Sequence, residues 1–185
     1  MQEWNENMKK NQKLFIFCGE AFSGKSTLAK KLSEKYKAKL IGRDEIYFSI
    51  EQQLALEETP EEDDDFLWKN FWPIVIQGTK NQLLLGNSVV IDDNCFLVSQ
   101  RKDLYKITQE LGVDSILIYL DIPQEILKER KEKNKIEKTR HDVPSAWVES
   151  DALKFERPTQ DENPIVVKHT DSFENLIKIL EEGRE

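Results

Sequence analysis

The sequence predicts an α/β fold, a three-layer sandwich in which helices cover both faces of a five-stranded parallel sheet. Three observations predict it. Five short runs are apolar throughout, as strands buried on both faces are. Helical stretches separate those runs, as the crossovers of a parallel sheet require. The residues with chemical potential stand just after strands, where ligands bind in such sheets.

Residues 13–18 (K-L-F-I-F-C) form the first run and end at Gly19. Residues 26–36 then carry helical spacing, with Leu28, Ala29 and Leu32 on one side. The run A-K-L-I at 38–41 is a second strand, stopped by Gly42. A helix is expected over 44–57, and a longer one from about Asp64 to Leu85, interrupted or kinked near Pro73. S-V-V-I-D at 88–92 is the third strand and S-I-L-I-Y-L-D at 115–121 the fourth. Between them an amphipathic helix runs from about Ser99 to Leu111 and stops at Gly112. Pro123 opens the next helix from a favoured first-turn position. P-I-V-V-K at 164–168 is the fifth strand, and Phe173 to Glu182 make a closing helix whose Phe173, Leu176, Ile177 and Leu180 would cover the sheet. The whole chain, 1–185, reads as one domain, with 1–12 a flexible N-terminus and about 128–158 a lid region.

Composition narrows the function classes. Asp and Glu number 35 against 27 Lys and Arg, a net charge of -8. Such a surface gains no overall electrostatic help from a long polyanion, although a local basic site could hold a few phosphates. No run approaches the ~20 apolar residues of a membrane span, and the start has no signal-type apolar segment. Cys18 and Cys95 lie in or beside strand-like runs and read as reduced thiols, so a cytoplasmic location is expected. His141 and His169 have no partner at metal spacing, so no zinc site is expected. Trp68, Trp72 and Trp147 read as packing residues.

The strongest signal is G-E-A-F-S-G-K-S-T at 19–27, which matches G-x-x-x-x-G-K-[ST] between a strand and a helix, where that motif must lie. Gly19 and Gly24 permit close backbone approach, so the amides of Glu20, Ala21, Phe22 and Ser23 can turn inward as a nest of donors. The helix that starts here adds free N–H groups and the positive end of its dipole. Lys25 supplies a mobile charge for terminal phosphates, Ser26 a hydroxyl for magnesium, and Thr27 completes the loop. The pattern predicts binding of a nucleoside triphosphate.

Further candidates follow the other strands. Asp44, in G-R-D-E-I-Y, and Asp92, followed by Asp93 and Asn94, stand at strand ends. One aspartate can organise magnesium and the other take a proton from an acceptor hydroxyl. Asp44 could also cap a helix, and Asp93 alone reads as a solvated loop residue. Residues 128–141 hold seven Lys or Arg, and Arg130 and Arg140 within them would bring positive charge over the nucleotide as a flap. Phe155 and Trp147, beside that flap, could wall an acceptor.

Taken with Arg101, R-H-D-V-P and F-E-R-P-T…E-N-P-I-V-V, these segments resemble the small P-loop kinases of the polynucleotide kinase and zeta-toxin-like group, over about residues 13–168. The resemblance implies a P-loop NTPase fold of nucleoside-kinase type with a helical lid, and ATP and Mg2+ as nucleotide and metal. It implies nucleotide and magnesium contacts at Lys25 and Ser26, Asp44 as general base, and Asp92 as a magnesium or acceptor-site carboxylate. It also implies Arg130 and Arg140 as lid arginines. Polynucleotide kinases resemble D-x-x-R after the second strand, whereas here the place of the arginine is taken by Tyr47. Together with the net charge and the seven acids at 57–65, that departure favours a small hydroxylated acceptor over a polynucleotide. The alternative is an ATP-binding or ATP-hydrolysing module without kinase activity. A switch-type GTPase is disfavoured, because none of the seven glycines follows an aspartate in D-x-x-G spacing. A monomer or a homodimer is expected, with no membrane partner.

Overall fold

The architecture comes from a computed structural model, which describes residues 12–43, 45, 46, 49, 64–137 and 145–183. Five parallel strands, β1 (Lys13–Cys18), β2 (Lys39–Gly42), β3 (Val89–Asp92), β4 (Asp114–Leu120) and β5 (Ile165–Val167), form one sheet in the order β2-β3-β1-β4-β5. The described helices are α1 (Lys25–Tyr36), α2 (Asp64–Leu84), α3 (Val98–Leu111), α4 (Gln124–Glu137), α5 (Ser145–Lys154) and α6 (Phe173–Glu182).

Why the strands are apolar throughout is visible in their alternation. Leu14, Ile16, Val89, Ile91, Leu117 and Tyr119 face one core with Val75 and Leu83 of α2 and Leu104 and Ile107 of α3. Phe15, Phe17, Val90, Ile118 and Leu120 face the other with Ala29 and Leu32 of α1, Leu127 of α4 and Leu176 of α6. Along the central strands both faces are therefore dry, and period-2 polarity has no place to appear there. β1 is central, paired in parallel with β3 on one side and β4 on the other. After β3 the chain crosses past β1 to build the second half of the sheet, which makes the end of β1 the switch point where ligands bind.

Several boundaries differ from those expected. α2 runs unbroken through Pro73. A proline removes only one ladder bond, and buried Phe71 and Val75 on either side keep the helix seated on the core. Pro123 stands just before α4, with the Leu127 amide donating to its carbonyl, so it caps the helix from outside. Gly42 belongs to β2 and pairs with Asp92. Gly112 ends α3 in the left-handed conformation at φ 66°, and the Ser172 hydroxyl caps α6 by accepting from the Asn175 amide at 3.2 Å. Trp72 packs on the first core and donates its indole N–H to Asp103 at 3.2 Å. Cys18 and Cys95 are buried free thiols, and burial pushes the Cys18 thiol up to about 12. Most of the helix expected over 44–57 and the side chains of Trp68 and Trp147 lie outside the described residues. Among the described residues no helix is long and apolar enough to cross a membrane.

Candidate active site

The loop between β1 and α1 wraps around its own lysine. Lys25 is the first residue of α1 and only 7% exposed. Its Nζ donates to the carbonyls of Gly19 and Glu20, both at 2.8 Å, and to Ser23 Oγ at 3.4 Å. Gly19 is essential to the turn: a Cβ there would come within 3.0 Å of the Leu120 carbonyl. Phe22 adopts φ 65°, a left-handed conformation for a bulky residue that the motif does not announce. With Gly24 at φ 103°, it turns the chain into the concave arc of a phosphate nest. The Gly19 amide donates to the Asn94 carbonyl at 3.2 Å, which ties this loop to the segment after β3.

Ser26 and Asp92 meet. Ser26 Oγ donates to Asp92 Oδ1 at 3.2 Å, across the gap from α1 to the end of β3. A hydroxyl and a carboxylate oxygen suit magnesium, which binds one or two protein oxygens and fills its octahedron with water and phosphate. Among the described residues no cluster of three or more His, Cys, Asp or Glu could hold a metal by itself.

Asp93 corrects the expectation of a solvated loop residue. It is 4% exposed, accepts from the Cys95 amide through Oδ1 at 3.1 Å, and has Arg43 Nε 3.8 Å from Oδ2. Its burial follows from that arginine, which arrives from the end of β2 and supplies the opposite charge a buried carboxylate needs. Asp44 and Tyr47 lie outside the described residues, as does Arg140.

Helix α4 lies over the loop and presents two stripes to two cavities. Gln124, Leu127, Lys128 and Lys131, at i, i+3, i+4 and i+7, face a cavity of about 190 Å³ shared with Gly19, Glu20, Ala21 and Phe22. Asn94, Phe96, the α5 side chain Asp151 and Phe155 just beyond α5 complete it. Arg130, Lys133, Asn134 and Glu137 face a cavity of about 420 Å³ shared with Ser23, Gly24, Thr27 and the segment after β5. Arg130 Nη1 donates to the carbonyls of Phe22 and Ser23 at 3.2 and 2.7 Å, so this guanidinium holds the outer rim of the loop. Gln124 Nε2 donates to Glu20 Oε1 at 2.7 Å and holds its beginning. The predicted residues Lys25, Ser26, Asp92 and Arg130 thus converge on one loop. Asn94 and Asp151 were not legible as site residues, since only the fold brings α4, α5 and the β3 end together.

Beneath the β3 end lies a buried ion pair. Arg101 is fully buried, and its Nε and Nη2 reach Glu162 Oε1 and Oε2 at 2.6 and 2.9 Å. Its Nη1 donates to the Cys95 carbonyl at 2.8 Å, and Tyr105 Oη lies 3.4 Å from the same carboxylate. Burial works to raise the Glu162 carboxyl, but the hydrogen bonds from Arg101 and the Thr159 amide, with the guanidinium charge, hold it below the usual carboxylate range. The Glu156 amide donates to the Phe96 carbonyl at 2.9 Å, so the strand-ward exit of α5 is laced to the same loop.

Comparison with known proteins agrees with this geometry. The L-seryl-tRNA(Sec) kinase of Methanococcus maripaludis is 31% identical over 150 residues, 78% of this chain. The chain spans 53% of that protein's length. A candidate kinase from Chloroflexus aurantiacus superposes with a TM-score of 0.74 at 16% identity, over 95% of this chain and 100% of the other. The APS kinase CysC of Mycobacterium tuberculosis, solved with AMPPNP and APS, gives 0.63 at 18% identity, over 92% and 98%. These structures share the three-layer fold with its central parallel sheet. The AAA domain pattern matches residues 14–158, from the first buried strand to just beyond α5, and the chain therefore belongs to the AAA domain family.

Proposed function

We propose that the chain is an ATP-dependent kinase that transfers the γ-phosphoryl group of ATP to a hydroxyl, and that its acceptor is a small molecule. The observation that carries this reading is the convergence of Lys25, Ser26, Asp92 and Arg130 on one loop at the switch point of the sheet. Lys25 would neutralise the terminal phosphates, and the amides of residues 20–24 would cradle them. Ser26 and Asp92 would hold magnesium, which supplies charge neutralisation between the β- and γ-phosphates. The lid cations of α4 would close over the phosphates and exclude water. The names of the Methanococcus and Mycobacterium proteins, both kinases, support the same chemistry.

In the transfer, the acceptor oxygen bonds to the γ-phosphorus as the bond to the β–γ bridging oxygen breaks. ADP leaves, and the hydroxyl proton passes to a carboxylate. Asp44 is proposed for that carboxylate and Arg140 as a second lid cation, in keeping with the resemblance to polynucleotide kinase-like enzymes. The net charge of -8 favours a small acceptor over a nucleic-acid end.

Asp44→Asn tests the assignment. Turnover is expected to fall by about 10²–10⁴-fold, the usual worth of a positioned general base, while Mg-ATP affinity stays nearly constant. Parallel measurement of steady-state ADP release and Mg-ATP titration distinguishes the roles, because an equal loss in both would make Asp44 a nucleotide-binding residue. ADP release with no phosphorylated acceptor, across a broad panel of hydroxyl compounds, would replace transfer by hydrolysis.

A further inference from the structure

The cavity of about 190 Å³ has walls from four segments, and their chemistry is uneven. Its α4 wall carries Lys128 and Lys131, on the stripe that Gln124 fastens to Glu20 of the phosphate loop. Those cations are placed for phosphate. The α5 wall carries a carboxylate, Asp151, whose Oδ2 accepts from Asn94 Nδ2 at 3.2 Å. Phe96 and Phe155 supply apolar surface beside it, and the Phe155 ring is fixed by stacking on Tyr119 with centroids 6.0 Å apart.

We propose that Asp151 is the acceptor-binding carboxylate of this site, and that the acceptor is a compact alcohol carrying a protonated amine. The proposal rests on the kinase reading above and names the substrate class for it. One asparagine amide is a single neutral donor, and an ionised carboxylate can accept several more hydrogen bonds. Burial raises the Asp151 carboxyl above its ordinary value, against the lowering effects of Arg43 and Asn94, while Asp93 adds to the rise. An ammonium on the acceptor would relieve that cost by supplying charge and donors together. The apolar walls would take the carbon skeleton, and the hydroxyl would point to the loop at Gly19–Phe22. The volume is below the ~300–1,000 Å³ of drug-sized ligand pockets, so the acceptor is compact.

The test compares 2-amino alcohols with neutral diols of the same size, and with a 5′-hydroxyl oligonucleotide, as acceptors for the full chain. ADP release and mass spectrometry of the product are read for wild type, Asp151→Asn and Asp151→Glu, with Mg-ATP affinity titrated separately. In the wild type, kcat/KM for amino alcohols should exceed that for diols by on the order of 10- to 100-fold, the worth of a hydrogen bond to a charged group. Asp151→Asn should erase that preference while Mg-ATP affinity is retained, and Asp151→Glu should restore part of it. Equal use of diols, a preference that survives Asp151→Asn, or use of the oligonucleotide alone would overturn the proposal. Mg-ATP binding without phosphorylation of any amino alcohol would overturn the acceptor class and leave the nucleotide site standing. Failure to bind Mg-ATP at all would instead remove the kinase reading beneath it.

Discussion

Lys25→Met is expected to lower phosphoryl transfer by at least about 10²–10³-fold, the cost of removing one preorganised charge-stabilising donor from a reacting centre. The lysine is enclosed by the loop, within reach of two backbone carbonyls and the Ser23 hydroxyl. Methionine keeps the length and apolar stem of the side chain and removes the donor. The loop is held by other contacts as well, from Gly19 to Asn94 and from Arg130 to the Phe22 and Ser23 carbonyls. The melting temperature should therefore move by only a few degrees. A thermal melt beside an ADP-release assay checks both halves. Global loss of the folded state would make Lys25 a structural residue instead.

Arg101→Met should produce the largest loss of stability, about 3–5 kcal/mol, because it strands a partner of a buried ion pair. That is a large part of the 5–15 kcal/mol that typically holds a domain together. The strain would fall on Glu162, which keeps the Thr159 amide and Tyr105 hydroxyl but loses both guanidinium bonds. The double variant Arg101→Met/Glu162→Leu should recover much of the loss, since the orphaned charge is gone. Denaturant melts of both variants decide the point. Acid adds an independent reading. A carboxyl held below its unfolded value contributes stability above the ordinary carboxylate pKa, and that contribution is lost as pH falls through the folded value. Glu162 is such a group. The stability gap between the wild type and Glu162→Gln should thus be full at neutral pH and close progressively below about pH 4, the ordinary range of a glutamate carboxyl.

What the chain discloses about itself depends on how far apart its partners lie. The central strands β1 and β4 were legible because burial on both faces leaves an apolar run of six or seven adjacent residues. The phosphate loop was legible because nine consecutive residues make it, and motif and strand end each marked one of Ser26 and Asp92 without showing that they touch. Asp93 was misread because its burial is decided by Arg43, fifty residues earlier and just beyond the end of β2. Asp151 carries no local mark of function, and only the juxtaposition of α4, α5 and β3 gives it one. Arg101 entered through a family likeness, and its physical reason, a bidentate partner sixty-one residues downstream, belongs to the tertiary structure. Pro73 shows the converse, a strong local breaker overruled by the packing on either side of it.

Helix α4 is a partition with a compartment on each side, and both compartments lean on the same fourteen-residue rod. A molecule that shifts the rod by filling one chamber changes the fit of whatever fills the other. By thermodynamic linkage that influence is mutual and of equal size in the two directions.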